Sequence, residues 1–162
     1  MAINYVEKGS GLHKAIFAAG HTLVRRNNEW VASDESAVQA IIDAYDPLPA
    51  ARAEAKARVA AQIQASLDFI TSQYQEFEKL TFAQQRLEAR AWEANNSAAT
   101  PGIDLIATNE GISREAALAS ALAKTITYEN LAFQKIGIRK ALTVQIDAAS
   151  TLESINAINY TG

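Results

Sequence analysis

The chain has no cysteine, and that absence removes disulfides, thiolate metal sites and a thiol nucleophile together, so packing has to hold the fold. Histidine is nearly as scarce. His13 and His21 lie on different elements with no acidic residue at ligand spacing from either, so they read as partly exposed surface residues and no metal is expected. Neither sign of charge dominates: 15 Lys and Arg stand against 18 Asp and Glu, a net charge of −3, of which −2 falls before Leu48 and −1 after it. Such a balance makes no long-range field for phosphate or an anionic membrane, and no nucleic-acid or membrane partner is expected. No run of about 18 apolar residues spans a bilayer's worth of chain. The N-terminus also lacks a basic start followed by a long apolar core, which reads as a cytosolic product or one that joins a particle without secretion.

Proline is rare too, 3 in 162 residues, and two of the three, Pro47 and Pro49, stand almost together. Two prolines this close read as a stiff, extended hinge and a boundary. The region before them alternates short elements. Ile3 to Val6 is strand-like, and Leu12 to Ala19 reads as a short helix with Gly20 as its stop. His21 to Arg26 and Glu29 to Ala32 read as two strands joined by Asn27-Asn28, a pair that tolerates positive φ. Ser33 is the expected N-cap of a helix over Asp34 to Tyr45, with Val38, Ile41, Ile42 and Tyr45 on one face.

After the hinge, Ala50 to Leu80 carries no Gly or Pro and reads as one long helix. Its first half is Ala-rich with alternating charge. In its second half Ile63, Leu67, Ile70, Tyr74 and Phe77 recur at intervals of four, three, four and three, the spacing of a coiled-coil seam. These five residues are the candidate partner or oligomer interface. The seam has two readings, an amphipathic helix packing within its own chain or a self-association surface. With Leu67 at a and Ile63 and Ile70 at d, a parallel assembly would be tilted above the dimer.

Further on, Thr81 with Gln84 suggests a capping box opening a helix that runs through Leu87, Ala91 and Trp92 to Asn95-Asn96. Thr100-Pro101 opens another, with Ile103, Leu105 and Ile106 expected inside and Gly111 as its end. Arg114 to about Ala148 reads as one long helix or two end to end. Its two apolar rows, Leu118, Leu122, Ile126, Phe133 and Ile136 on one side and Tyr128, Leu131, Ile138, Leu142 and Ile146 on the other, read as a central helix. Gly137 within it should mark a close approach or a break. Ser150 with Glu153 suggests a final cap and helix.

The expected fold is therefore mainly α: a small N-terminal α+β module with a β-hairpin over residues 1–47, a helical connector over 48–66 and a helical bundle over 67–162. No reactive constellation is visible. Gly9-Ser10-Gly11 lacks the Gly-Lys-Ser/Thr ending of a phosphate loop, Glu76 and Glu78 point to different sides of a helix, and the serines fall at caps and loops. The reading is of a protein that is not an enzyme and takes no cofactor. Phe69, Tyr74, Phe77, Phe82 and Trp92 concentrate near the end of the long stretch, and any left on the surface would be natural protein-binding anchors.

The second half resembles a small domain family found in tail-fibre-associated and tail-assembly proteins of tailed bacteriophages. The residues that carry the resemblance are Phe82 and Gln85, Ala91-Trp92, Thr100-Pro101 with Ile103, Ile106 and Ala107, and Gly111-Ile112-Ser113. Leu118-Ala119, Tyr128, Leu131, Ile138, Lys140, Leu142, Ile146, Ala148-Ala149, Thr151, Glu153 and Ala157-Ile158 continue it. Where the family usually has Gly-x-Arg-Gln, this chain has Gly137-Ile138-Arg139-Lys140. The first region is similar to short N-terminal modules of phage tail proteins through Gly11-Leu12, Ala15-Ile16, Glu29 to Asp34 and Val38 to Pro47. The resemblance implies a virion structural protein of the baseplate or tail fibre, assembled in the host cytoplasm, with other tail proteins as partners and homo-oligomerisation open. Two alternatives stand beside it: a tail-fibre assembly chaperone absent from the mature virion, and a small enzyme or regulator with no motif in the sequence.

Overall fold

The computed structural model describes residues 3–162. It is mainly helical, 69% of the chain, with one two-stranded antiparallel sheet near the N-terminus. The elements in order are α1 (Ser10–Ala18), β1 (Leu23–Arg26), β2 (Glu29–Ala32), α2 (Glu35–Ala44), α3 (Leu48–Thr71), α4 (Glu76–Lys79), α5 (Phe82–Ala94), α6 (Pro101–Glu110), α7 (Arg114–Ala148) and α8 (Leu152–Ala157). They form two compact units. The first takes Met1–Ala61 with Ala141–Thr161, and the second takes Gln62–Lys140. This division differs from the expected bounds at 47 and 66, because the first half of α3 and the C-terminal segment join the N-terminal module.

In the first unit the core is Leu12 and Ile16 of α1, Leu23 of β1 and Val38 and Ile42 of α2, with Trp30, Ile41 and Tyr45 packed on it. The hairpin pairs Leu23 with Ala32 and Arg26 with Glu29, and Asn27 and Asn28 adopt φ of 47° and 70°. That double positive φ is the turn whose twist matches the strands. Asp34, rather than the expected Ser33, caps α2, its carboxylate accepting from Ala37 N–H at 2.9 Å. Ser33 Oγ is used elsewhere, accepting from Thr22 N–H at 3.0 Å to close the mouth of the hairpin.

The segment Ile3 to Val6 forms no strand. The side-chain amide of Gln39 takes the place of a neighbouring strand, accepting from Asn4 N–H at 2.8 Å and donating to Asn4 O at 3.3 Å. The prolines make no extended hinge either. Asp46 Oδ1 accepts from Leu48 N–H, Pro47 O accepts from Ala51 N–H, and α3 starts at once with Pro49 in its first turn, where a missing N–H costs nothing.

Gly11 lies where α1 comes close to Tyr45 and Ala50: a Cβ there would stand 2.0 Å from the Tyr45 hydroxyl and 2.8 Å from Ala50 Cβ. Cations finish three helices of this unit. Lys8 Nζ donates to Ile42 O at 2.7 Å and Tyr45 O at 3.0 Å at the end of α2. Arg52 Nη2 donates to Ala149 O at 2.9 Å just past α7, and Arg58 Nη2 to Ile158 O at 3.1 Å just past α8. Helix C-termini leave carbonyls unsatisfied and carry partial negative charge, so these are the expected partners. The alternating charges of early α3 thus tie it to the C-terminal segment, helped by Lys56 with Asp147 at 2.6 Å. The cap of α8 is Thr151 with Ser154, one residue past the expected Ser150 pair.

In the second unit the expected helix over Ala50 to Leu80 breaks at Ser72–Gln75, between α3 and α4. The side chains there compete for the last helical carbonyls: Thr71 Oγ1 donates to Asp68 O at 3.2 Å, Ser72 Oγ to Phe69 O at 2.6 Å and Gln73 Nε2 to Ile70 O at 3.0 Å. Three consecutive residues that bond back to the preceding turn offer the backbone an exit. Glu78 then caps the start of α4 by accepting from Gln75 N–H at 2.7 Å. The expected cap at Thr81 does not form, because Thr81 is itself helical (φ −94°, ψ −10°) and its hydroxyl donates back to Glu78 O.

The core of this unit is Ala89 of α5, Ile103 and Ala107 of α6 and Ala117 and Leu118 of α7, with Trp92, Ala121 and Leu122 packed against it. Gly111 ends α6 at φ 70°, and Ile112 N–H reaches back to Ala107 O. Leu105 and Ile106 are exposed, correcting the expectation that they share the inner face. Ile103 and Ala107, four apart, form the buried stripe; Ile106, three from Ile103, sits at its edge at 36% exposure, and Leu105 lies away from it. α7 is a single helix, unbroken at Gly137, whose missing Cβ has no neighbour within 4 Å. The middle of α7 is not central: Tyr128, Phe133 and Ile136 are exposed, while Leu118 and Ile146 near its two ends are buried.

Candidate functional site

The five seam residues do not share one surface. Ile63 is buried; Leu67 and Ile70 are half-buried on α3; Tyr74 lies in the break, packed edge-on to the Phe82 ring at 5.1 Å; Phe77 on α4 is exposed. Because α3 ends at Thr71, the heptad spacing that linked Ile70 to Tyr74 and Phe77 has no helix to carry it. What the break does instead is hold large apolar side chains outward. Phe69 is 80% exposed, Phe77 71% and Leu80 85%, all within twelve residues of chain, and Leu87 on α5 is exposed as well. Side chains of this size, this far out in water, contribute little buried area to their own unit. Of the five candidate interface residues Phe77 is exposed and Ile63 is buried, Phe69 is exposed as one of the aromatic residues noted in the sequence, and Leu80 had been given no role.

The polar centre of the second unit is a residue that no motif singled out. Glu88 of α5 is 3% exposed, and its carboxylate accepts from Gly102 N–H at 3.1 Å, Ile103 N–H at 2.9 Å and Gln84 Nε2 at 2.8 Å. It therefore supplies from another helix the N-terminal cap of α6 that Thr100 was expected to supply. Burial by itself pushes this carboxyl up, but the hydrogen bonds from Gln84, Ile103 and Gly102 outweigh it and the group is held below its ordinary value of 4.5. Thr100 is wholly buried and donates instead to Asp104 Oδ1 at 2.8 Å, while Arg114 bonds Asp104, Thr100 and Ala98 O. A signal was present in hindsight: Gly102, two residues into α6, leaves the room that the Glu88 carboxylate fills, 3.2 Å from where a Cβ would stand.

In the first unit Tyr5, His13 and Trp30 form an aromatic group, Tyr5 stacked on Trp30 with ring centres 4.1 Å apart and its hydroxyl 3.2 Å from His13 Nε2. His13 is thus accounted for by packing, and His21 takes no part in the group. Among the described residues no three of His, Asp and Glu gather as a metal site would require. Among them, too, no helix is long and apolar enough to cross a membrane. Tyr45 has its hydroxyl pushed above the usual value by burial, then by Glu54 and Asp46, so it stays protonated beside Gly11.

No protein-family model, no curated protein and no solved structure matches the chain.

Proposed function

We propose that this chain is a non-enzymatic structural protein of a bacteriophage tail, acting at the baseplate or a tail fibre through protein–protein contacts. The single structural observation behind the reading is the set of aromatic and aliphatic side chains held out at Phe69, Phe77 and Leu80. Aromatic anchors of this kind dominate interface energetics once a partner covers them. The resemblance of both regions to tail proteins says what kind of partner to look for, another tail protein, and the virion as the destination.

The test is mass spectrometry of purified virions from the phage that encodes the chain, with the infected-cell lysate as reference. A structural protein is retained at a fixed ratio to the tail proteins. Presence in the lysate with absence from finished particles would sink the structural reading and leave a transient assembly factor. Binding to tail proteins should also be lost in a Phe69→Ser, Phe77→Ser, Leu80→Ser variant that keeps its helical circular dichroism.

A further inference from the structure

The first unit has an open cleft whose charged groups its own packing does not explain. The cleft measures about 490 Å³ and is lined by Tyr5 and Glu7 of the N-terminal segment and by Arg25 and Trp30 of the hairpin. Arg25 and Trp30 are cross-strand partners, so their side chains leave the same face of the ribbon. Tyr5 is stacked on Trp30 and its hydroxyl lies 3.2 Å from His13 Nε2, which holds the aromatic wall in place. Both rings are half-buried and both charges exposed. Glu7 and Arg25 share the cleft, carry opposite charges and do not pair. Arg25 Nη2 donates to Asn28 Oδ1, and among the described residues Glu7 has no hydrogen-bond or ion-pair partner.

We propose that this cleft binds a neutral sugar, one or two rings of a glycan. One carboxylate and one guanidinium cancel, so neither an anionic nor a cationic ligand gains net attraction. A neutral ligand has to donate to Glu7 and accept from Arg25, and neighbouring hydroxyls do both, since each is donor and acceptor. Carboxylate and guanidinium are planar and take two such groups side by side. The C–H face of the sugar ring then lies on the aromatic wall, whose ring faces carry partial negative charge. A proline-rich peptide, the other neutral ligand that aromatic grooves take, offers carbonyls to Arg25 but lacks N–H groups for Glu7 at its prolines. The volume lies within the range of small-molecule sites, about 300–1,000 Å³. Contacts with so few ligand atoms in an open cleft make binding weak, about millimolar. The inference rests on the cleft alone and is independent of the tail assignment.

The chain has two tryptophans, and their indole N–H signals in NMR report the two units separately, Trp30 at the cleft and Trp92 against the core of the second unit. Titration of the full chain with glucose, galactose, mannose and N-acetylglucosamine should shift the Trp30 signal saturably with at least one of them and leave Trp92 still. Glu7→Ala and Arg25→Ala should each weaken that binding about tenfold or more. Both side chains are exposed, so both variants should keep the wild-type melting temperature. No saturable shift of Trp30 with any of the four sugars up to about 50 mM would overturn the proposal. So would binding that both variants retain in full, or a proline-rich peptide that shifts Trp30 where the sugars do not.

Discussion

The two units solve the same problem, the unsatisfied ends of helices, with opposite charges and at opposite depths. The first unit brings cations to helix C-termini at part-buried carbonyls: Lys8, Arg58 and Arg52, the last with its Nε buried. The second brings one carboxylate, Glu88, to a helix N-terminus and buries it. Water can replace a lysine or arginine at a part-buried carbonyl. It cannot easily replace a carboxylate that satisfies two backbone N–H groups inside a core. The first unit therefore spreads its dependence over several weak ties, while the second concentrates it in one residue.

The sharpest way to break this comparison is Glu88→Ala. It strands Gly102 and Ile103 N–H beside a cavity and should destabilise the second unit by about 3 kcal/mol, read from urea denaturation. Glu88→Gln keeps the shape and loses the charge, and it carries the pH dependence. Glu88 is held below 4.5 in the folded chain, so its contribution is complete above that value and is lost as pH falls through the lower, folded-state value. The stability gap between wild type and Glu88→Gln should be constant from neutral pH down to about 5 and shrink below 4.5. A gap that instead grows on acidification would show that Glu88 is bound protonated.

The next effect belongs to the first unit and comes from packing. Gly11→Ala gains about 1 kcal/mol of helix propensity. Against that, the new methyl would stand 2.8 Å from Ala50 Cβ and 2.0 Å from the Tyr45 hydroxyl. Overpacking of this kind costs about 1–3 kcal/mol, so the clash should win and the variant melt lower than wild type. Adding Tyr45→Phe removes one of the two collisions and should recover part of the loss. Full independence of the two substitutions in a double-mutant cycle would mean that α1 shifts instead of colliding.

These sites differ in how far they could be read beforehand. Elements with local causes were legible: Asn27-Asn28 twists the hairpin by its own φ values, Gly111 ends α6, and Pro101 stands at its first position. Devices that join distant positions were not. Glu88 and Gly102 are fourteen residues apart, Gln39 and Asn4 thirty-five, and Arg58 reaches Ile158 across a hundred. The break after Thr71 lay between the two cases, for its three back-bonding residues are adjacent, yet the apolar spacing running across them hid the competition. The break therefore redistributes the candidate interface: Ile63 lies in the interior, while Phe77, with Phe69 and Leu80, is on the surface.

Within the cation-capped unit, Arg58→Ala should cost about 1 kcal/mol, since it leaves the Ile158 carbonyl to water instead of stranding it in a core. Arg52→Ala also frees a helix-end carbonyl, that of Ala149, but it removes a buried Nε that has no partner as well, which offsets part of its loss. The two losses should add within about 0.5 kcal/mol, because they act on different helix ends. A loss for either as large as that of Glu88→Ala would erase the contrast between the units.

The smallest effect on stability, and the one that separates folding from use, is at the outward side chains. Phe69→Ser with Leu80→Ser removes two large apolar groups that are 80% and 85% exposed, so almost no buried area is lost. Chemical denaturation should place the double variant within about 0.5 kcal/mol of wild type, with solubility improved. Ile63→Ala, six residues earlier than Phe69 on the same helix and 6% exposed, should by contrast cost about 2–4 kcal/mol. If the outward pair instead destabilised the chain as much as Ile63→Ala, Phe69 and Leu80 would have to be covered in solution by the chain itself. The reading of this segment as a surface kept for a partner would then fail, even with the rest of the fold intact.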